Sequence, residues 1–113
     1  VGSFSGAGGL IMKSKADYSR EYFSAALKDG SRSSALLRFI MTRLNRGDMQ
    51  LIGILSVGNK QGFTQSETKK ALDILEVREV ITFSVSQAND SETITVHLTS
   101  LGREIFEGVR DEA

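Results

Sequence analysis

The densest set of chemically active side chains in this sequence lies in TQSETKKALDILEVREVITF, Thr64 to Phe83. At about 100° per residue, a helix through this stretch gathers Ser66, Lys69, Lys70 and Asp73 on one side, opposite Thr68, Ala71, Leu72 and Leu75. The first side is polar, and mainly basic towards its N-terminal end. Either water solvates it, the common fate of such charges, or a ligand meets it. The helix start is well specified. Thr64 and Glu67 form a T-x-x-E capping box, in which the threonine hydroxyl takes the N3 amide and the carboxylate returns to the N-cap amide.

Catalytic arrangements are much harder to assemble. His97 is the only histidine and there is no cysteine, so a His-based triad, a thiolate nucleophile and a multi-histidine or Cys-ligated metal site are excluded. His97 reads as a surface residue on the outer face of a strand. Glu76 and Glu79 are three apart, but nothing in the sequence desolvates them. No catalysis, cofactor or metal is assigned. The 113 residues suit one domain, with 40% hydrophobic and 25% charged residues and no apolar run that approaches a membrane span. The absence of cysteine fits a cytoplasmic location. Fourteen basic and 14 acidic residues give zero net charge, so any affinity for nucleic acid must come from local charge placement.

The elements that position the polar face follow from periodicity. Residues 1–16 read as a disordered arm, with VGSFSGAGGLI either native or left over from cloning ahead of a start at Met12. GAGG in this arm lacks the lysine, hydroxyl and preceding strand of a phosphate-binding loop. A domain is expected over residues 17–110. Its first helix starts with Asp17 as N-cap and carries Tyr18, Tyr22, Phe23, Ala26 and Leu27 as a stripe, until KDGS ends it. A second runs from Ser33 or Ser34 to Asn45, with Leu36, Leu37, Ile40, Met41 and Leu44 inward, Arg38, Thr42 and Arg43 outward, and a left-handed Gly47 to close it. A short third helix, Met49 to Val57, is capped by Asp48, turns Leu51, Ile52 and Leu55 to the core, accepts Gly53 where a backbone packs close, and ends at Gly58. After the Thr64-capped helix, Val80–Ser86 and Glu92–Leu98 alternate as two strands about the turn QANDS, with Ile81, Phe83, Val85, Ile94, Val96 and Leu98 inward. Thr99 caps a last helix with Leu101, Ile105, Phe106 and Val109 on its apolar side.

In this order, TQSETKKALDILEVREVITF resembles the recognition helix and following strand of winged helix-turn-helix regulators. HLTSLGREIF, His97 to Phe106, resembles the LT-x-x-G-R element that closes the wing in many of them, including the MarR and PadR types. The resemblance covers Ser33 to Val109. It implies a mainly α, α+β fold, α-α-α-α-β-β-α, with a recognition helix at about 65–78 in the major groove of double-stranded DNA. Carried onto this sequence, Gln65, Ser66, Lys69 and Lys70 meet base edges or phosphates, Thr64 lies at the helix start, and Lys60, Arg38 and Arg43 clamp the backbone. The wing departs from the pattern. Its tip, Gln87 to Ser91 with Glu92, holds no cation for the minor groove.

Family members usually pair through terminal helices, which implies a homodimer here with Tyr18, Tyr22, Phe23, Leu101, Ile105, Phe106 and Val109 at the interface; the alternative for the same stripes is intramolecular core. The functions implied are a dimeric transcriptional regulator, usually a repressor, in the nucleoid-associated cytoplasm, or a centromere-binding adaptor of a plasmid or phage partition system that links DNA to a filament-forming NTPase. A winged helix used only for protein contacts is the reading outside DNA binding. An effector pocket between the core and the dimer helices has no residue in the sequence to single it out.

Overall fold

The computed structural model describes residues 13–112, so the Gly/Ser segment and Met12 lie outside the described residues. Helix α1, Lys15–Ala26, is capped by Ser14: its Oγ accepts from the Asp17 amide at 3.1 Å and the Asp17 carboxylate accepts from the Ser14 amide at 3.3 Å. Asp17 is therefore the third residue of a capping box and not the N-cap, and the helix begins earlier than its apolar stripe indicates. Helix α2, Arg32–Arg46, starts from Ser31 and buries Leu36, Leu37, Ile40, Met41 and Leu44. Gly47 follows it with φ 163° and ψ 161°, an extended rather than a left-handed conformation.

The chain then enters a two-residue strand, β1 (Met49–Gln50), instead of a helix. Met49 pairs with Val96 and Gln50 with Thr95, so a distant strand claims the backbone that local pattern gives to a helix. Helix α3 runs over Leu51–Lys60, and Asp48 does not cap it. Ile54 is the buried isoleucine of α3, while Ile52 is 71% exposed. A Cβ added at Gly53 would meet only the Met49 side chain, at 3.6 Å, and Gly58 lies within the helix rather than beyond it. The turn to the next helix passes through Gly62 at φ +93°, where a side chain would be strained.

Helix α4, Gln65–Val77, buries Thr68, Ala71, Leu72 and Leu75. It closes through a Schellman arrangement in which the Glu79 amide donates to Glu76 O and the Val80 amide to Leu75 O, both at 2.9 Å, with Glu79 left-handed at φ 63°. That one residue turns helix into strand. Strands β2 (Ile81–Ala88) and β3 (Ser91–Leu98) pair without interruption from Ile81 opposite Leu98 to Ala88 opposite Ser91. Asn89 and Asp90, at φ 53° and 63°, make the two-residue turn whose twist suits a hairpin. The antiparallel sheet has the order β1-β3-β2.

Helix α5, Ser100–Glu112, is locked to the sheet by Thr99. Its Oγ1 donates to Glu79 O at 2.7 Å and accepts from the Gly102 amide at 3.0 Å, while its amide donates to Val80 O at 2.9 Å. A Cβ at Gly102 would stand 2.3 Å from that Val80 oxygen, so the glycine of the LT-x-x-G element is required by the approach of helix to strand. Phe23, Ile40, Met41, Leu44, Ile54, Leu75, Val80 and Val96 form the heart of a core shared by the helices and the inner half of the sheet. Val85, expected inward, is 60% exposed because the outer half of the hairpin extends beyond anything it could pack on. No described helix is long and apolar enough to cross a membrane.

Candidate nucleic-acid interface

The start of α4 is held from two sides. Thr64 Oγ1 accepts from the Glu67 amide at 3.0 Å, and Glu67 Oε1 accepts from the Thr64 amide at 2.8 Å, completing the box. Arg32, at the start of α2, then grips the same carboxylate with Nε at 2.7 Å and Nη2 at 3.0 Å. Its guanidinium also donates to Gly62 O and lies 4.8 Å from the centre of the Phe63 ring. The Arg32 bonds, followed by the Thr64 amide, hold the Glu67 carboxyl at about 2 against an ordinary 4.5. Thr64 is thus occupied as a cap. Arg32 had no signal in the sequence, because its partner is 35 residues away.

Beyond this clamp the outer face of α4 is open. Gln65, Ser66, Lys69 and Lys70 are exposed and, with Asp73, line one shallow hollow. A neighbouring groove between α3 and α4 brings Lys60 beside Gln65, with the exposed Ile52 in the same wall. Lys60, Lys69 and Lys70 have no carboxylate within ion-pair distance among the described residues. Arg38 and Arg43 line neither hollow: Arg38 reaches towards Leu27 O at 3.5 Å, and the Arg43 guanidinium lies 5.7 Å from the Phe39 ring centre. The structure therefore gathers Lys60 with the α4 residues and leaves the two α2 arginines apart from them. Behind α4, a cavity of about 360 Å³ between α1, α2 and α4 is floored by Tyr22, Leu37 and Ile74, and Lys70 stands on its rim as well.

The hairpin contributes polar groups but no cation. Its base is fastened by His97, whose Nδ1 is 2.9 Å from Asp48 Oδ2 and whose Nε2 is 2.7 Å from Ser84 Oγ. Of the residues expected at a dimer interface, Phe23 and Ile105 belong to the intramolecular core. Tyr22 is half-buried under the Arg78 guanidinium, 3.7 Å from its ring centre. Tyr18 is 56% exposed, and Leu101, Phe106 and Val109 are half-buried.

No family model matches the chain, and comparison with curated proteins finds no match. Solved structures do match. A PadR-like transcription factor from Bacteroides fragilis superposes with a TM-score of 0.64 at 13% identity, over 76% of this chain and 86% of that one. The transcriptional regulator BldR from Sulfolobus solfataricus gives 0.59 at 20% identity, over 83% of this chain and 65% of BldR. Bacillus subtilis PadR, solved in complex with operator DNA, gives 0.56 at 22% identity, over 66% of this chain and 46% of PadR. The chain is thus similar to PadR-like regulators, and it has the winged helix-turn-helix fold, with α3 and α4 as the helix-turn-helix and β2–β3 as the wing.

Proposed function

We propose that this chain is a sequence-specific double-stranded DNA-binding protein that acts as a dimeric transcriptional regulator, a repressor that blocks promoter access, with α4 in the major groove. The observation that carries the reading is the open outer face of α4, where an amide, a hydroxyl and two ammonium groups share one hollow at a rigidly capped helix start. Gln65 suits adenine, Ser66 several base edges, and Lys69 and Lys70 guanine or phosphate. The Gln65 and Ser66 backbone amides have no protein acceptor among the described residues, and with the positive end of the helix dipole they offer a phosphate site. Arg32 supports that site indirectly. By pairing with Glu67 it neutralises the one carboxylate in the first turn that would repel a phosphate. The operator complex of Bacillus subtilis PadR lends support through the shared fold. No catalytic role is assigned.

Selection of bound duplexes from a random pool, followed by anisotropy titration of the selected duplex over a range of salt, tests the reading. Replacing Lys69 and Lys70 by alanine should weaken binding and reduce the slope of log K against log salt by about 1.8 per protomer. Failure to enrich any duplex, or an unchanged slope in the double variant, would overturn it.

A further inference from the structure

The outer edge of β2 lacks the features that keep edge strands apart. Strand order β1-β3-β2 leaves that edge without a neighbour among the described residues. Its eight residues, ITFSVSQA, hold no charge and no proline, and the continuous pairing with β3 shows no bulge to twist the edge away. Exposed edges of this length normally carry at least one such block against strand addition.

The sequence of the edge is also complementary to itself. A two-fold axis normal to a sheet keeps every side chain on its own face, so an antiparallel pair of identical strands must centre on a residue. Centred on Ser84, the register sets Ser84 opposite Ser84, Phe83 opposite Val85, and Thr82 opposite Ser86. In these three pairs apolar meets apolar and hydroxyl meets hydroxyl, and the mismatch of Ile81 with Gln87 is pushed to the end of the strand. Centring on Val85 would set Phe83 against Gln87. Val85, largely exposed in the single chain, acquires an aromatic neighbour only in the first register. A formal net charge of zero supplies no overall repulsion between copies.

We propose that the outer edge of β2 pairs antiparallel with the same edge of a second copy of this chain, centred on Ser84, joining two three-stranded sheets into one of six strands. The inference is independent of DNA binding, and its test uses no DNA.

The sequence contains no cysteine, so Ser84→Cys introduces the only thiol. In the proposed register the two introduced Cβ atoms lie about 5 Å apart, close enough for a disulfide with slight adjustment. The two copies of Ser86→Cys would be displaced by about 14 Å along the strands and could not join. Mild oxidation of the full chain, followed on non-reducing gels, should give a covalent Ser84→Cys dimer at least tenfold faster than a Ser86→Cys dimer. Adding Val85→Lys should abolish it, with folding checked by circular dichroism. As a second measurement without thiols, the native chain should show an association step on sedimentation that the Val85→Lys variant lacks. Equal cross-linking rates at the two positions would overturn the proposal. So would a folded Ser84→Cys protein that stays uncoupled, the outcome expected if a strand of a different protein occupies this edge.

Discussion

Gly58 and Thr68 set how closely the two helices of the helix-turn-helix approach. A Cβ added at Gly58 would stand 2.9 Å from Thr68 Oγ1 and 3.7 Å from its Cγ2. The hydroxyl has no room to retreat: Thr68 is fully buried and its Oγ1 donates to Thr64 O at 3.0 Å. Gly58→Ala must therefore move α3 off α4. Such overpacking costs about 1–3 kcal/mol, against a gain of about 1 kcal/mol from replacing a glycine within a helix. The variant should lose about 1 kcal/mol net. In a Thr68→Ala background the obstruction is gone and the same change should instead stabilise by up to about 1 kcal/mol, a coupling of about 2 kcal/mol across the cycle. Urea unfolding of the four proteins measures it. The reasoning is refuted if Gly58→Ala has the same effect in both backgrounds, or if it stabilises the parent.

Other outcomes follow from the same contacts. Thr64→Ala should cost about 1 kcal/mol by thermal unfolding, and Thr64→Ser much less, because only the hydroxyl caps α4. Glu67 titrates at about 2 when folded against an ordinary 4.5, so its contribution is complete above pH 4.5 and is lost as pH falls towards 2. Glu67→Gln should flatten that acid limb in urea midpoints measured across the interval, and an unchanged limb would place the acid sensitivity elsewhere. Gly102→Ala should cost about 3 kcal/mol, since the Val80 oxygen that it meets is fixed by the Thr99 amide. Gly108→Ala, with open space around the new methyl, should gain up to about 1 kcal/mol in the same thermal assay.

What the sequence revealed, and where it misled, divides along the range of the interactions involved. The start of α4 at Gln65 and its four buried residues were legible because a capping box and a 3.6-residue period are local signals. The Thr99 cap and the existence of the hairpin are legible for the same reason, but the turn is Asn89–Asp90 alone, because Gln87, Ala88 and Ser91 of QANDS pair within the strands. Met49 and Gln50 were misread as helix because their partners, Val96 and Thr95, lie more than 40 residues away. Asp17 looks like the cap from the apolar stripe alone, because Ser14 stands outside that stripe, although the pair is itself a capping box. Ile52 and Ile54 differ only in which side of α3 the neighbours cover, and spacing alone chose the exposed one. At the candidate interface, Gln65, Ser66, Lys69 and Lys70 were legible as a face. The clamp from Arg32 was not, since no local pattern joins it to Glu67.

The formal neutrality of the chain conceals an uneven placement of charge. Several acids are already engaged: Glu67 with Arg32, Asp17 and Glu104 with Arg20, Glu21 with Lys13, Glu79 with Lys15. Lys60, Lys69 and Lys70 are paired with none of them, and all three border the α3–α4 surface. A count of zero is therefore compatible with a local basic excess, because pairing engages several carboxylates elsewhere without removing them from the sum, and Asp73 alone accompanies Lys69 and Lys70 in their hollow. The wing cannot enlarge that patch, since its tip presents Asp90 and Glu92 and its outer edge no charge at all. Anion recognition on this fold is then confined to a few cations per copy, too few for tight binding by one protomer at moderate salt. Two copies on one duplex would raise the effective affinity without any new contact, which is the physical reason the proposed function includes a dimer.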